Sequence, residues 1–355
     1  MVSELGGSSN RREEEKERLH EEISAQEREI YDRQIRLWGM EAQNKLRNAS
    51  VLVIGLSGLG AEIVKNLMLA GLNALTIMDD KKATADDKKA NFLLPDADYA
   101  GQNRAMASAE RASALNPMVK LNAIPEGVQQ HGKETWKQYS LVILCDQGFE
   151  ESCRVDEECR DLGVRFMCGA VFGGAGYSFF DFDGHDFLVQ IKNIPYDDLE
   201  GDDGNKIDDE MTTIEEDRFE KKKFSYAPLR DAFSVDWTAK KYIRKVSRYL
   251  PQMYYPIKAC IAQLGKGDFT DAAQFKDSWL REVEAAGQSA SRFTYEDDDF
   301  ETFFGAQMSP VCAIVGGIMG QETIKAIAED QHPLRNLFTY TMVDTVGMVT
   351  LLPPA

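Results

Sequence analysis

Residues 50–78 constrain the fold more tightly than any other part of the chain. Ser50-Val-Leu-Val-Ile54 is an unbroken apolar run of strand length. It is followed by the glycine-bearing turn Gly55-Leu-Ser-Gly-Leu-Gly60, a helix to Ala70 closed by Gly71, and a second strand, Ala74 to Met78, that ends at Asp79-Asp80. That order is a βαβ unit. The alternation continues through a helix from Asn103 to Leu115 stopped by Asn116-Pro117, a strand near Val119 to Ala123, the apolar run Leu141 to Cys145, a helix from Glu150 to Leu162, and a strand from Val164 to Met167. The fold class is therefore α/β: a Rossmann-like doubly wound sheet, mostly parallel. From Val171 to Phe187 the pattern changes to glycine and aromatic alternation, which predicts antiparallel strands added at one edge.

The flanking segments read differently. Leu19, Ile23, Ile30, Leu37 and Trp38 recur at helical spacing through a charged background, so residues 12–47 are expected to be helical, with a break at Gly39. Twelve carboxylates between Asp197 and Glu220, with few large apolar groups, predict a mobile loop. Trp237 to Gln263 and Phe269 to Glu284 read as helices, and Tyr295 to Asp299 as an acidic tip. The last unit opens with Ser309 as N-cap and Pro310 at the first helical position, runs to about Ala328, and leads into strands at Leu337 to Val343 and Gly347 to Leu352. The chain thus divides into an N-terminal tail and charged helix (1–27), the first part of an α/β domain (28–190), an inserted acidic loop and helical region (191–300), and the C-terminal part of the domain (301–355).

Composition removes several function classes. With 59 acidic and 41 basic side chains the net charge is −18, which argues against a general binder of nucleic acid because nothing in the balance would neutralise phosphates. An apolar content of 43% excludes a wholly disordered chain. The apolar stretch from Val51 to Leu72 is interrupted by Glu62 and Lys65, and the one from Val311 to Gly320 stops at Gln321-Glu322, so no membrane span is expected. The N-terminus lacks the apolar core of a secretory signal. Six cysteines (145, 153, 159, 168, 260 and 312) form no C-x-x-C, which points away from a zinc knuckle or disulfide framework and towards a reducing compartment.

Two places attract chemistry. The turn Gly55 to Gly60 lies between strand and helix, where a nucleotide phosphate would meet backbone N–H groups. A strict G-x-G-x-x-G needs glycine at 57, and Ser57 puts a Cβ where pyrophosphate normally approaches. Gly55, Gly58 and Gly60 fit either nucleotide binding or close helix-to-strand packing, and Asp79 stands where a ribose hydroxyl would be read. The second place is Arg33, three after Ile30 and four before Leu37, which projects from the apolar stripe of its helix. It either snorkels to water, pairs with an acid of its own chain, or meets a phosphate presented by another molecule. Arg36 reads as a surface residue. Other features are weaker. Tyr254-x-x-x-Lys258 has the spacing of a dehydrogenase acid pair, but Pro256 is expected to disturb the helix between them. The histidines (20, 131, 185, 332) show no ligand or triad spacing. Cys312 reads as core, Cys168 as more exposed, and Lys221-Lys222-Lys223 as a solvated loop edge.

Tyr31-Asp-Arg-Gln-Ile-Arg-Leu-Trp-Gly39, the strand and turn through Gly60-Ala-Glu62, Asn66-Leu, Leu69-Ala-Gly71, Gly101-x-Asn103-Arg104-Ala105, Leu115-Asn116-Pro117 and Pro310-Val-Cys-Ala-Ile-Val-Gly-Gly317 closely resemble the ubiquitin-like-modifier activating enzymes, a family with a ThiF-type fold. The nearest resemblance is to the smaller, non-catalytic (pseudo-adenylating) subunits of its SUMO branch. The chain is shorter than the corresponding subunits of the NEDD8 branch.

The resemblance implies a heterodimer in which MgATP is bound by the partner subunit, the C-terminal glycine of SUMO is adenylated there, and the partner then forms the SUMO thioester. A SUMO-conjugating enzyme would follow indirectly, and the location would be the nucleus, with the cytoplasm also open. The segment that should grip ATP phosphates stands here as Asp87-Lys-Lys-Ala-Asn91, so the expected Arg is Ala90. The magnesium-binding Asp of the family aligns with Gln147 of Gln147-Gly148, a poor ligand for that ion. No cysteine is followed by the Thr of the thioester motif. Gly55, Ser57, Gly58, Gly60 and Asp79 are therefore expected to be vestigial, with no metal and no functional cofactor site in this chain, and no nucleic-acid or membrane partner. Arg33 matches the family's Arg that reaches across the dimer into the partner's ATP site. A self-sufficient adenylating homodimer and a nucleotide-free scaffold are the other readings.

Overall fold

The computed structural model describes residues 24–191, 218–267, 269 and 271–354. The helix expected over 12–23 and most of the acidic loop, 197–217, lie outside these residues. Two helices, α1 (Ala25–Ile30) and α2 (Asp32–Asn48), lead into β1 (Ser50–Ile54), α3 (Gly58–Ala70) and β2 (Ala74–Met78). Then come α4 (Ala85–Ala90), α5 (Arg104–Leu115), β3 (Lys120–Ile124), β4 (Leu141–Cys145), α6 (Phe149–Leu162), β5 (Arg165–Phe172) and β6 (Ala175–Asp181). A hairpin follows, β7 (Gly184–Ile191) with β8 (Arg218–Ser225), then α7 (Tyr254–Gln263), α8 (Ala272–Ala285), α9 (Ser309–Ala328), β9 (Leu337–Thr341) and β10 (Val346–Thr350).

The main sheet has eight strands in the order β10-β9-β6-β5-β4-β1-β2-β3. β1 to β5 run parallel, with Val51 opposite Leu75 on one side and Leu141 on the other. β6, β9 and β10 add antiparallel pairs at one end. The glycine and aromatic pattern predicted such an addition for β6, but β7, expected at the same edge, pairs with β8 in a separate two-stranded sheet. Side chains alternate between faces at the strand period of two. Val51 and Val53 join the core under α3, α5 and α9, whereas Leu52 and Ile54 join the core shared with α6, α7 and α8. The second core is rich in rings: Phe275 packs against Phe269, Phe300 and Phe303 at 5.0–5.6 Å between centroids.

Several sequence expectations need correction. Lys221-Lys222-Lys223 lies within strand β8, paired with Asp186 to Leu188, and not at a loop edge. Trp237 to Lys245 forms turns, so the helix expected from Trp237 begins only at Tyr254, after a single turn at Val246–Tyr249. Pro256 sits in the first turn of α7, where its missing N–H has no intrahelical partner to lose, so it leaves the helix intact. Tyr254 and Lys258 still form no acid pair, because Lys258 bonds Glu282 at 3.0 Å. Cys168 is buried, like the other five cysteines. The N-cap of α9 is Met308, one residue before the expected Ser309. Helix α9 is by length and composition capable of spanning a bilayer, contrary to expectation, but most of it is buried against α3 and the sheet.

The α3–α9 contact depends on glycine at close approach. A Cβ on Gly316 would lie 2.7 Å from Cβ of Glu62, whereas one on Gly317, the next residue, would meet nothing within 4 Å. Gly316→Ala is expected to lower stability by about 1–3 kcal/mol through overpacking. Gly317→Ala is expected to raise it by about 0.5–1 kcal/mol through helix propensity. Urea unfolding midpoints of the two variants check both signs.

Candidate functional site

A cleft of about 660 Å³ opens where β1, β2 and β4 end, the usual ligand position in a doubly wound sheet. One wall is polar and comes from the α/β domain: Ser57, Lys81, Asp86, Asp87, Arg104 and Asp146. The other is aromatic and comes from residues after α7 and before α9, including Phe269, Phe303 and Phe304.

The sequence-derived residues of the turn all line or support this cleft, and the N-terminus of α3 is already occupied from within. Ser57 is the N-cap of α3, and its hydroxyl accepts from the Gly60 N–H at 3.5 Å while donating to Asp146 Oδ2 at 2.5 Å. The Leu59 N–H donates to Gln307 Oε1 at 3.3 Å, and Gln307 Nε2 is tied to the Val171 carbonyl at 3.2 Å. The glycines have packing reasons of their own. A Cβ on Gly58 would lie 2.4 Å from Cβ of Ala90, and one on Gly60 would lie 2.0 Å from the Gly55 carbonyl oxygen, so Gly55, Gly58 and Gly60 keep the turn compact.

Asp79 is buried and fully engaged. Its carboxylate accepts from the N–H groups of Leu56 (2.5 Å) and Lys81 (2.8 Å) and from Arg104 Nε (2.9 Å) and Nη2 (2.8 Å). Arg104 Nη1 also reaches Asp87 Oδ1 at 2.8 Å, so one buried guanidinium bridges two carboxylates. Burial pulls the pKa of Arg104 down, but the charges of Asp79 and Asp87 outweigh it and leave the pKa raised. Ala90 ends α4 against Gly58, and the amide of Gln147 turns back to the Cys145 carbonyl at 2.9 Å.

Sequence reasoning missed Asp146, which follows β4 directly with φ of 54° and lies in the cleft. Burial raises its pKa, against the opposing hydrogen bonds from Ser57 and the Val171 N–H. An acid with a raised folded-state pKa stabilises the fold fully below the ordinary carboxylate range, and that contribution is lost as pH rises through the raised value. The signal available in the sequence was an acid directly after a buried parallel strand. Arg104 and Gln307 were also missed as parts of this network. Among the described residues no three His, Cys, Asp or Glu side chains gather as metal ligands.

Arg33 lies away from the cleft, exposed near the start of α2, with no hydrogen bond or ion pair to the described residues. Its neighbours on the stripe are uncovered too: Ile30 is 52% exposed and Leu37 75%. Arg36, in contrast, pairs with Asp32 at 3.0 Å on the surface. The expected break at Gly39 is present, with φ of 85°. The pairing of Arg33 with an acid of its own chain, one of the three sequence readings, is absent among the described residues.

A doubly wound, mostly parallel sheet, a glycine turn at the strand ends and a helical N-terminal extension define a protein of the Rossmann-like α/β class. More particularly, the chain belongs to the ThiF family, which it matches over residues 31–350. It is similar to SUMO-activating enzyme subunit aos-1 of Caenorhabditis elegans, with 37% identity over 94% of this chain and 99% of the relative. It also resembles SUMO-activating enzyme subunit 1 of Danio rerio (36%, covering 92% and 95%) and of Homo sapiens (34%, covering 96% and 99%).

Replacing Arg104 tests the network of the cleft. Arg104→Met leaves the Asp79 carboxylate buried without its cation and is expected to cost about 3–5 kcal/mol at neutral pH. Denaturant titrations of the variant and the parent at neutral pH measure the loss.

Proposed function

We propose that this chain is the non-catalytic half of a two-subunit SUMO-activating enzyme, and that it completes the partner subunit's adenylation site by donating Arg33 in trans. The partner then binds MgATP, adenylates the C-terminal glycine of SUMO and carries the nucleophilic cysteine. The carrying observation is Arg33 itself: an exposed guanidinium with no acid partner among the described residues, standing on an apolar stripe that those residues leave uncovered. An apolar stripe of that kind is the signature of a covered surface, and a charge on it calls for an anion from the covering molecule. Charge that builds on a triphosphate as pyrophosphate departs is such an anion, and a guanidinium placed beforehand stabilises it without reorganisation.

The same reading accounts for the cleft. The Leu59 and Gly60 N–H groups at the start of α3 already have side-chain acceptors, Ala90 stands where a phosphate-gripping Arg is expected, and Gln147 binds its own backbone. These features favour an isolated chain without adenylating activity over a self-sufficient homodimer. Use of the SUMO branch in place of the NEDD8 branch rests on the names of the relatives, and a nuclear and cytoplasmic location belongs to the same reading.

The test is ATP–pyrophosphate exchange by the assembled two-subunit enzyme. Arg33→Ala is expected to slow exchange by about 10²-fold or more while gel filtration shows the complex unchanged. A parent rate in that variant removes the role given to Arg33.

A further inference from the structure

The Arg33-bearing helix is seated on the carboxyl end of α3, and the seat is built from side-chain amides. The last four carbonyls of a helix have no intrahelical donor. In α3 three of these are met in succession: Met68 O accepts from Asn116 Nδ2 at 2.9 Å, Leu69 O from Gln34 Nε2 at 3.0 Å, and Ala70 O from Gln43 Nε2 at 3.2 Å. Trp38 Nε1 holds Gln43 from the other side at 3.0 Å. Asn116 spends its amide donors twice, on Met68 O and on the Tyr31 hydroxyl at 2.8 Å, and its Oδ1 accepts from the Met118 N–H at 3.1 Å. Tyr31 is buried at the junction of α1 and α2, its ring seated on Gly71, where a Cβ would lie 2.5 Å from ring Cζ.

Three of the sequence motifs singled out above therefore meet at one place: Tyr31 to Gln34, Leu69-Ala-Gly71, and Leu115-Asn116-Pro117. Tyr31 and Gln34 bracket Arg33 in the chain and both turn inward, whereas Arg33 turns out. A long side chain that must meet a reacting phosphate from another subunit needs its helix fixed in angle, because a displacement of about 1 Å is enough to cost about two orders of magnitude in rate.

We propose that Tyr31, Gln34 and Asn116 are positioning residues that lock the start of α2 onto the end of α3 and so fix the direction of Arg33. The proposal rests on the trans role given to Arg33 above. It assigns a reason to the residues around that arginine: the tyrosine and glutamine dock while the arginine reaches.

The experiment is a double-mutant cycle in the assembled two-subunit enzyme, read by ATP–pyrophosphate exchange over a range of ATP concentrations up to saturation, with SUMO saturating. Tyr31→Phe removes one hydroxyl and keeps the ring on Gly71. It is expected to lower kcat by about 3–10-fold, the scale of one lost hydrogen bond, with KM for ATP unchanged. Gln34→Ala, a change on a partly exposed surface, provides the same readout should Tyr31→Phe lower complex yield. In an Arg33→Ala background both changes are expected to do nothing further, since they act through the missing side chain. The proposal is overturned if both variants keep the parent rate while Arg33→Ala is slow, or if either slows the Arg33→Ala enzyme by its full factor. A parent rate in Arg33→Ala combined with a slow Tyr31→Phe overturns the trans role and shows the lock serving something else.

Discussion

Helix α3 is buried along most of its length, and a buried helix must have its terminal backbone groups satisfied by side chains because water is absent. Both halves of the candidate functional apparatus arise from that requirement. At the amino end, Ser57 and Gln307 take the N–H groups of Gly60 and Leu59. At the carboxyl end, Asn116, Gln34 and Gln43 take the carbonyls of Met68, Leu69 and Ala70. The first arrangement fills the place where an anion would bind. The second seats the helix that carries Arg33. A single rigid element, held by β1, β2 and α9 on its flanks, links the cleft to the protruding arginine.

The electrostatics of the cleft agree with a surface that has turned inward on itself. Arg104 bridges Asp79 and Asp87, one cation between two carboxylates, and its guanidinium has no further geometry to offer a phosphate while it does so. Asp146, bonded to Ser57 and the Val171 N–H, adds negative character just where the turn would otherwise present positive dipole. Ser57 does more here than obstruct. Its hydroxyl is simultaneously the cap of α3 and the donor to Asp146, so the departure from glycine at that position is built into the local network.

The α/β alternation was legible because buried parallel strands are short continuous apolar runs. β1, β2 and β4 begin and end where the sequence placed them. Period and punctuation gave less in the insert. Turns at Trp237 to Lys245 carry the same mixture of aromatic and charged residues as a helix, and only tertiary packing of Trp237 against Tyr242 and Tyr254 distinguishes them. Lys221-Lys222-Lys223 read as a loop edge because charge dominated the local pattern, whereas pairing with β7 makes it a strand. In the site, the turn and Asp79 were legible from their places at strand ends. Arg104 and Gln307 were not, since their meaning lies in contacts between residues 25 to 248 positions apart, whereas Asp146 stands at a strand end like Asp79 and was legible by the same rule.

A helix transmits little of a change at one end to the other when its packing is held independently. Ala90 and Gln147, which the proposed function takes as departures from a nucleotide site, lie beyond the amino end of α3, whereas Tyr31, Gly71 and Asn116 surround its carboxyl end, about 20 Å along a helix of 13 residues. Substitutions can therefore accumulate in the cleft without disturbing the seat of α2, so long as the α3–α9 contact at Gly316 is kept. Under the proposed function the two ends are under different constraints: the cleft must only remain packed, while the seat must hold one direction in space. On the proposed reading, that asymmetry explains how a fold organised around a glycine turn can keep an intact Tyr31-Asp-Arg-Gln34 segment beside a cleft where side chains of the same chain cap the amino end of α3.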